Sequence, residues 1–332
     1  MPANTNPYCG LFGLRLSHSL HFGHLVGNVR PAMNDQNEKT IVVVLADLFT
    51  YTSDRKQDIT VNNALSMTAE AMALGLSSPN VKFVTQSQVF NNLLPLFTIL
   101  SCLLKFEKLK STKPISKMLE KNDDLKFGEL TFPIIQCAEM VSTNSEILYS
   151  NIDNLGIVSL TQELYHKLES YANTDLPKPR ISHGEFKNIR GTDGNKMSQG
   201  RNNAIFIDDS EATIKKKITS IHTHSTEKEI DLQIVFDYFR VVGYSTKDIE
   251  TLETEFNNNK TTPLKIKNLL SSEIVKYFTP IKNKKEEIMK DKKILIERIN
   301  SDTESVKLAV KENVSNIFQN FYTKEFYQTF KY

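Results

Sequence analysis

The run Ile41-Val42-Val43-Val44-Leu45-Ala46 is a short segment of β-branched and other apolar residues that ends at Asp47. A strand that is apolar on both faces is typical of the middle of a parallel sheet, where helices cover both sides. Residues 58–76 follow with helical spacing and a glycine near the end, and Val81-Lys82-Phe83-Val84 predicts a second strand. Strand, helix and strand in this order indicate a right-handed crossover, so the sequence predicts a doubly wound α/β domain with a parallel sheet.

The composition of the chain changes after about residue 205. Glycine almost disappears, Lys and Glu become more frequent, and apolar residues recur at helical spacing. One predicted apolar stripe consists of Leu269, Leu270, Ile274, Phe278 and Ile281, and a looser one of Ile294, Ile299 and Val306. We therefore expect an α/β domain over residues 1–190, a loop over 191–204 and a helical domain over 205–332.

Composition also narrows the class of protein. The 332 residues carry 41 Lys plus Arg against 39 Asp plus Glu, so the overall charge does not indicate a nucleic-acid partner. Three cysteines (Cys9, Cys102 and Cys137) are too few for a disulfide framework and fit a reducing compartment. The N-terminus has no signal-peptide pattern, and the longest apolar run, residues 93–104, is shorter than the ~20 residues that cross a bilayer. These features predict a soluble, cytoplasmic protein without a membrane span.

The segment Ser19-Leu20-His21-Phe22-Gly23-His24-Leu25-Val26-Gly27 brackets a glycine with two histidines, where an early strand should turn into a helix. Glycine lets a ligand approach the backbone closely, and the free N–H groups of a helix start favour phosphate. Imidazole rings can donate hydrogen bonds to the same oxygens. Taken alone, a glycine-containing turn with two surface histidines is an equally good interpretation. Two histidines without a nearby carboxylate or thiolate do not predict a metal site.

A second segment, GTDGNKMSQGR over residues 191–201, is a glycine-punctuated loop with Lys196 at its centre and Arg201 nearby. Such a loop can close a cation onto phosphates as negative charge builds up during transfer. By itself, the segment is equally consistent with a mobile surface loop that has no catalytic role.

Together the two segments are far more specific. An HxGH turn followed later in the chain by a Lys-Met-Ser loop resembles the paired signatures of class I aminoacyl-tRNA synthetases. The resemblance implies a Rossmann-like catalytic domain in which the turn and the loop grip ATP from opposite sides. It implies that ATP binding and adenylate formation use His21, Gly23, His24, Lys196, Met197 and Ser198. The remaining implied nucleotide contacts are Ser17, Gly27, Asp153 and Arg201.

The loop departs from the family's KMSKS pattern. Gln199 stands in place of the second lysine, and Gly200 in place of the final serine. Arg201 is the nearest cation that can replace the lost charge.

Further segments are similar to the tryptophanyl branch of this family. They are VVLADLFTYT, FVTQSQV (residues 83–89), the basic stretch 105–113, GELTFPIIQCAE (residues 128–139) and the region 252–284. The resemblance therefore covers nearly the whole chain, and the last region resembles the family's helical anticodon-binding part.

The implied amino-acid pocket departs from the tryptophanyl pattern. Glu139 stands where the family has the aspartate that accepts the indole N–H, and Asn154 stands where it has a glutamine that reads the amino acid. Arg15 replaces another glutamine and can hold a carboxylate bidentately. Phe132 and Gln136 complete the implied contacts with the amino acid.

A tyrosyl-type relative is the close competitor. The segment SLHFGHLV is nearer to the tyrosyl version of the turn, and Gln136 with Glu139 resembles the tyrosyl Gln-x-x-Asp pair that binds a phenol. An ionised Glu139 needs a donor from either ring, the indole N–H or the phenol O–H. We therefore expect phenylalanine to be rejected.

The resemblance implies ATP-dependent activation of an aromatic amino acid, with tryptophan favoured, and transfer of the activated amino acid to tRNA. It also implies Mg²⁺ as the partner of ATP and a homodimer. Two alternatives stay open. One is a paralogue that makes an adenylate or a charged tRNA for specialised biosynthesis or resistance, and the other is a non-catalytic RNA-binding paralogue.

Overall fold

A computed structural model of the chain describes residues 8–16, 19–50, 60–120, 126–172, 176–186, 188–222 and 228–321. At its centre is a sheet in the order β3-β2-β1-β4-β5, in which all neighbouring strands are parallel. The strands are β1 (Tyr8–Arg15), β2 (Thr40–Ala46), β3 (Val81–Thr85), β4 (Ile147–Tyr149) and β5 (Arg180–Ser182). The strand order reverses between β1 and β4, so the predicted doubly wound α/β fold is confirmed.

Strand β2 is buried on both faces, as predicted. Ile41, Val43 and Leu45 pack into one apolar cluster, and Val42 and Val44 pack into another on the opposite face of the sheet. Two helical layers must therefore cover the sheet.

The helices before β4 are α1 (Phe22–His24), α2 (Arg30–Asp35), α3 (Asp47–Thr50), α4 (Val61–Leu74), α5 (Gln86–Val89), α6 (Leu94–Leu103), α7 (Phe106–Ser111), α8 (Lys113–Leu119) and α9 (Phe127–Ser142). Those after β4 are α10 (Leu155–Ala172), α11 (Glu211–Thr219), α12 (Lys228–Val241), α13 (Thr246–Asn257), α14 (Pro263–Lys290) and α15 (Lys292–Gln319). A π-helical segment, Leu25–Val29, joins α1 to α2, and single 3₁₀ turns form at Ile152–Asn154 and Gln199–Arg201.

Helix α4 is the predicted crossover helix between β2 and β3. It starts after Thr60, whose side chain accepts a hydrogen bond from the Asn63 N–H at 3.1 Å. It ends at Gly75, which adopts a φ of +125° that favours glycine. The predicted stop is therefore confirmed, and the predicted first residues, 58 and 59, lie outside the described residues.

Among the described residues, the region after residue 210 consists of helices and short connections, as predicted, whereas residues 206–208 form an isolated bridge and a turn. In α14 the expected stripe is buried at Leu270, Ile274, Phe278 and Ile281, whereas Leu269 is 39% exposed. In α15 the side chain of Ile294 is 63% exposed. The expectation for Leu269 and Ile294 was wrong, because each lies beside the buried stripe of its helix and not on it.

Helix α15 covers the edge strand β3. The Asp302 carboxylate accepts a hydrogen bond from the Phe83 N–H at 3.1 Å, and the Thr303 hydroxyl accepts one from the Thr85 N–H at 3.3 Å. Arg298 donates to the Val81 carbonyl at 2.7 Å and pairs with Asp302. Side chains of α15 therefore bind backbone groups that a further strand would otherwise occupy.

Across the described ranges, none of the helices combines the length and apolarity that a bilayer span requires. The sheet ends with β5 and helices follow from α11 onward. The domain boundaries at residues 190 and 205 stay predictions.

Candidate active site

The predicted site residues converge at the carboxyl ends of neighbouring strands. Arg15 ends β1, α3 begins directly after β2, and the turn Ile152–Asn154 follows β4. Strands β1 and β4 are paired at the centre of the sheet. From β1 the later strands β2 and β3 follow on one side, and from β4 the strand β5 follows on the other. Ligands of open α/β sheets bind in the crevice at this point.

The HxGH turn brings two imidazole rings into contact. The rings of His21 and His24 stack with their centroids 3.9 Å apart and their planes inclined by 25°. Gly23 is required between them, because a Cβ atom at this position would lie 2.8 Å from the His21 ring. Gly27 is similarly confined, by the side chain of Asn151.

The His21 ring is buried, which excludes the interpretation of this residue as a surface histidine. Its Nδ1 atom has no hydrogen-bond partner among the described residues. Burial and the neighbouring His24 lower the pKa of His21 well below its ordinary value. Burial and the charge of Arg15 lower the pKa of His24 to about 4. Both imidazoles are therefore neutral at pH 7, and they can meet a phosphate oxygen as N–H donors and not as cations.

The Lys-Met-Ser loop is built around the buried side chain of Asn203. Its Oδ1 accepts a hydrogen bond from the Ser198 N–H at 2.9 Å, and its Nδ2 donates to the Lys196 carbonyl at 3.0 Å and to Asp193 Oδ1 at 2.7 Å. The buried side chain of Met197 attaches the same segment to the core. The backbone of the loop is thus held on both sides of Met197.

The loop delivers Lys196 to the end of β4. The ammonium group of Lys196 lies 2.8 Å from Oδ2 of Asp153, and 55% of the lysine side chain is exposed. The Ser198 hydroxyl accepts a hydrogen bond from the Gly200 N–H at 3.3 Å, and Arg201 is exposed at the end of the same turn. Ser17 and the side chain of Gln199 lie outside the described residues.

Backbone hydrogen bonds join the turn directly to the segment behind the loop. The Phe22 N–H donates to the Ile205 carbonyl at 3.2 Å, and the Ile207 N–H donates to the Leu20 carbonyl at 2.9 Å. Lys196 is also close enough to His21 for its charge to lower the histidine pKa. The structure therefore brings together the turn and the loop, which lie far apart in the sequence.

An aromatic wall stands beside this frame. The guanidinium of Arg15 lies 4.1 Å from the ring centroid of Phe49, and the rings of Phe49 and Phe132 are 4.2 Å apart. Such a column offers a flat apolar face to an aromatic ligand, with a cation at one end.

A buried carboxyl group lies next to the wall. Glu139 accepts a hydrogen bond at Oε1 from Gln86 Nε2 at 2.5 Å, and Gln86 Oε1 accepts one from the Phe49 N–H at 3.0 Å. Burial raises the pKa of Glu139 to about 7, although the hydrogen bond from Gln86 acts in the opposite direction. Gln86 therefore fixes the orientation of Glu139 and connects it to the aromatic wall.

Gln136 and Asn154, the other two predicted contacts with the amino acid, differ in whether their side chains already have hydrogen-bond partners. The Oε1 atom of Gln136 is buried and has no hydrogen-bond partner among the described residues. Asn154 donates a hydrogen bond to the Ser150 hydroxyl, so its side chain is engaged within its own turn.

Sequence reasoning did not assign roles to Phe49, Gln86 and Asn203. Phe49 and Gln86 lie in segments that carried the resemblance, each just after a buried strand, and this position was the available signal. Asn203 follows the loop, and no pattern in the sequence marks it. In the described parts of the chain, no three His, Cys, Asp or Glu side chains come together in a way that could hold a metal ion.

Comparisons with a family model and with known proteins both find class I tRNA synthetases. The family model for class I tRNA synthetases (W and Y) matches residues 7–295. The tryptophan–tRNA ligase of Chlamydia caviae is 24% identical over 324 residues, which cover 92% of this chain and 93% of that protein.

Two solved structures share the fold. The tryptophanyl-tRNA synthetase of Campylobacter jejuni, complexed with ADP and tryptophan, superposes with a TM-score of 0.77 at 22% identity, over 96% of this chain and 98% of that chain. The tyrosyl-tRNA synthetase of Archaeoglobus fulgidus, complexed with L-tyrosine, gives a TM-score of 0.67 at 19% identity, over 84% and 90% of the two chains.

Proposed function

Because the chain belongs to the class I tRNA synthetases of the W and Y group, we propose that it activates tryptophan with ATP and transfers it to tRNA. One observation carries the proposal. Backbone hydrogen bonds connect the HxGH turn to Ile205 and Ile207, which follow the Lys196 loop, at the ends of the central strands. The adjoining aromatic wall and the buried Glu139 supply an amino-acid pocket at the same place.

The first step is attack by the carboxylate of the amino acid on the α-phosphorus of ATP. A new O–P bond forms, the bond between the α-phosphorus and its bridging oxygen breaks, and pyrophosphate leaves. Positioning and charge stabilisation supply most of the rate in such a transfer. In our proposal the neutral rings of His21 and His24 donate to phosphate oxygens, and Lys196 stabilises the charge that builds up on the leaving group.

The remaining nucleotide contacts surround these three residues. We assign nucleotide contacts to Gly23 and Gly27 at the helix start and to Asp153, which also pairs with Lys196. We assign supporting nucleotide contacts to Ser17, Met197, Ser198 and Arg201. We propose that Mg²⁺ would bind with ATP through the hard oxygen atoms of its phosphates and would offset the charge of the leaving group.

Selection of the amino acid follows from the pocket. The ring packs on Phe132 and Phe49, its donor group meets the Glu139 carboxylate, and Arg15 takes the substrate carboxylate. Gln136 and Asn154 complete the lining of the pocket. Phenylalanine has no ring donor, so it leaves the acceptor capacity of Glu139 that Gln86 does not use without a partner in a buried site, and we expect discrimination against it of roughly 10⁴-fold.

Tyrosine is the second candidate substrate. The buried and unpartnered Oε1 of Gln136 favours it, because a phenol O–H could donate to this oxygen while its own oxygen accepts from another donor. The tyrosyl-type relative shares the fold at a lower TM-score than the tryptophanyl one.

The partners follow from the same proposal. Exposed lysines lie around the junction of α14 and α15, at Lys284, Lys290, Lys292 and Lys293, and suit the phosphate backbone of tRNA. Exposed apolar side chains at Leu94, Phe106 and Phe127 in α6, α7 and α9 suit a subunit interface, so we propose a homodimer. Cys102 and Cys137 are free thiols, which fits the cytoplasm as the place of tRNA charging.

The decisive experiment is amino-acid-dependent ATP–pyrophosphate exchange with each of the twenty amino acids, followed by charging of total tRNA. The control is Lys196→Ala, which should abolish exchange that belongs to this chain and leave any contaminating activity. Exchange and charging with tryptophan support the proposal, and a preference for tyrosine selects the second candidate. Exchange without charging indicates the specialised paralogue, and no exchange with any amino acid contradicts the proposal.

A further inference from the structure

A buried carboxylate lies behind the HxGH turn. Glu70, in α4, has a fully buried side chain. Its Oε2 accepts a hydrogen bond from the Leu20 N–H at 2.6 Å, and its Oε1 accepts one from Lys285 Nζ at 2.6 Å. Burial raises the pKa of Glu70 to about 7, against the opposing effect of the Lys285 charge. None of the roles proposed above uses this residue.

Lys285 connects Glu70 to two further parts of the chain. It extends from α14, and its ammonium group also lies 2.5 Å from Oδ2 of Asp208, which follows the Lys196 loop. The Asp208 N–H in turn donates to the Ser19 hydroxyl at 3.3 Å. The start of the turn, the segment behind the loop and helix α14 therefore meet at one ionic cluster of Glu70, Lys285 and Asp208.

The ionic cluster adjoins the backbone bonds that join turn and loop. Leu20 accepts a hydrogen bond from Ile207 through its carbonyl and donates one to Glu70 through its N–H, and His21 is the next residue. A carboxylate suits this place because each of its two oxygens accepts from a different donor. An amide of the same shape would turn its NH₂ group, itself a donor, toward one of these two donors.

Stability alone does not explain an ion pair at this place. Removing two charges from water costs free energy that their attraction only partly offsets, and apolar residues of similar volume are often equally stabilising. Helices α4 and α14 otherwise contribute apolar side chains to the same core cluster, among them Met67, Ala71, Phe278 and Ile281. A leucine pair could fill the same volume, but it would leave the Leu20 N–H without its acceptor and Asp208 without its cation.

We propose that Glu70 and Lys285 are positioning residues for adenylate formation. Through Leu20 and Asp208 they fix the position of the turn that carries His21 relative to the loop that carries Lys196. Lys285 also attaches both segments to α14. The inference rests on the proposed function for its catalytic readout, and it has a second readout that does not depend on activity.

Three variants separate positioning from stability. Glu70→Gln leaves one acceptor oxygen for two donors, so kcat for ATP–pyrophosphate exchange should fall about tenfold while KM for ATP changes much less. The double variant Glu70→Leu with Lys285→Leu removes both charges together, so its thermal stability should fall no further than that of Asp302→Asn, yet kcat should stay low because Leu20 and Asp208 have lost their partners. Lys285→Arg keeps a cation that can reach both carboxylates and should restore most of the rate.

Asp302→Asn is the matched control. Asp302 is also buried, accepts a backbone N–H from Phe83 and pairs with Arg298, but it lies at the edge of the sheet. This variant should lower thermal stability without lowering kcat. In hydrogen–deuterium exchange, the amides of Leu20 and Ile207 should exchange faster in the double leucine variant and at the wild-type rate in Asp302→Asn.

A double leucine variant with wild-type kcat and unchanged amide exchange would overturn the inference. The same holds if Asp302→Asn reproduces both effects, because a general loss of stability would then account for them. If the unaltered protein exchanges pyrophosphate with no amino acid, the proposed function fails. Amide exchange then decides by itself whether the ionic cluster holds the turn and the loop together: faster exchange supports this, and unchanged exchange refutes it.

Discussion

The buried carboxyl group of Glu139 should make recognition of the amino acid depend on pH. Burial raises its pKa to about 7, so the group titrates where enzymes are assayed. Gln86 donates to Oε1, and the ionised carboxylate has acceptor capacity left for an indole N–H or a phenol O–H. The protonated carboxyl group carries its own O–H donor, which opposes the donor of the substrate. Only the ionised form should therefore bind the amino acid well.

The size of the effect follows from the pKa. With a pKa of about 7, roughly nine-tenths of the carboxyl groups are ionised at pH 8 and roughly one-tenth at pH 6. KM for the amino acid should therefore rise about tenfold from pH 8 to pH 6, which corresponds to about 1.4 kcal/mol. Burial lowers the pKa of His24 to about 4 and that of His21 well below its ordinary value, so neither ring accounts for a change centred near pH 7.

The same group should affect stability in the opposite direction. An unfolded Glu ionises near pH 4.5, so between about pH 4.5 and about pH 7 the folded state binds more protons than the unfolded state. The contribution of Glu139 to stability therefore falls as pH rises through this window. Relative to Glu139→Gln, the wild type should gain about 1 kcal/mol of unfolding free energy from pH 8 to pH 6.

The assay is initial-rate ATP–pyrophosphate exchange at saturating ATP from pH 6 to pH 8, with urea unfolding at both limits. Glu139→Gln is the control, because its amide does not titrate. Glu70 titrates in the same range and is expected to affect kcat, so KM for the amino acid is the diagnostic quantity. A KM that is constant across the range, or an equal pH dependence in Glu139→Gln, would refute the reasoning.

Three further predictions concern the loop. Lys196→Ala should lower kcat of exchange by about 100-fold and change KM for ATP far less, because the ammonium stabilises charge that develops in the transition state; equal losses in both constants, measured by steady-state kinetics, would contradict this role. Gln199→Lys should raise kcat if the loop lacks positive charge, and an unchanged rate in the same assay would indicate that Arg201 already supplies it. Asn203→Ala removes the hydrogen bonds to Ser198 and Lys196, each worth about 1 kcal/mol, so kcat should fall at least about tenfold; a wild-type kcat would show that the loop holds its shape without Asn203.

The fold could be predicted where local sequence and tertiary environment agree. The β-branched run 41–46 suits a strand that is buried on both faces, and Gly75 suits the positive φ at the end of α4. The exposed side chains of Leu269 and Ile294 could not be predicted, because apolar spacing in a helix shows that a stripe exists but not how wide it is. The partner helices determine that width.

The sequence nominated candidate site residues in several separate segments, but it did not predict which of them contact one another. The HxGH turn and the Lys196 loop are short patterns, whereas the column of Arg15, Phe49 and Phe132 joins three distant segments. The pairing of Lys196 with Asp153 likewise depends on the order of β1 and β4 in the sheet. Contacts of this kind are produced by the fold and leave no local pattern in the chain.

Because α15 covers the edge strand β3, that edge can be covered only after the ribosome has synthesised α15. The Phe83 N–H and the Asp302 carboxylate that accepts from it are 219 residues apart in the chain. At about 5–20 residues per second, a ribosome needs roughly 10 to 45 s to add the intervening chain. Throughout that time the growing polypeptide carries an unpaired strand edge, the part of a sheet most prone to pair with other chains. Slow translation or premature termination before α15 should therefore raise the yield of aggregated nascent chains more than an equal delay after it.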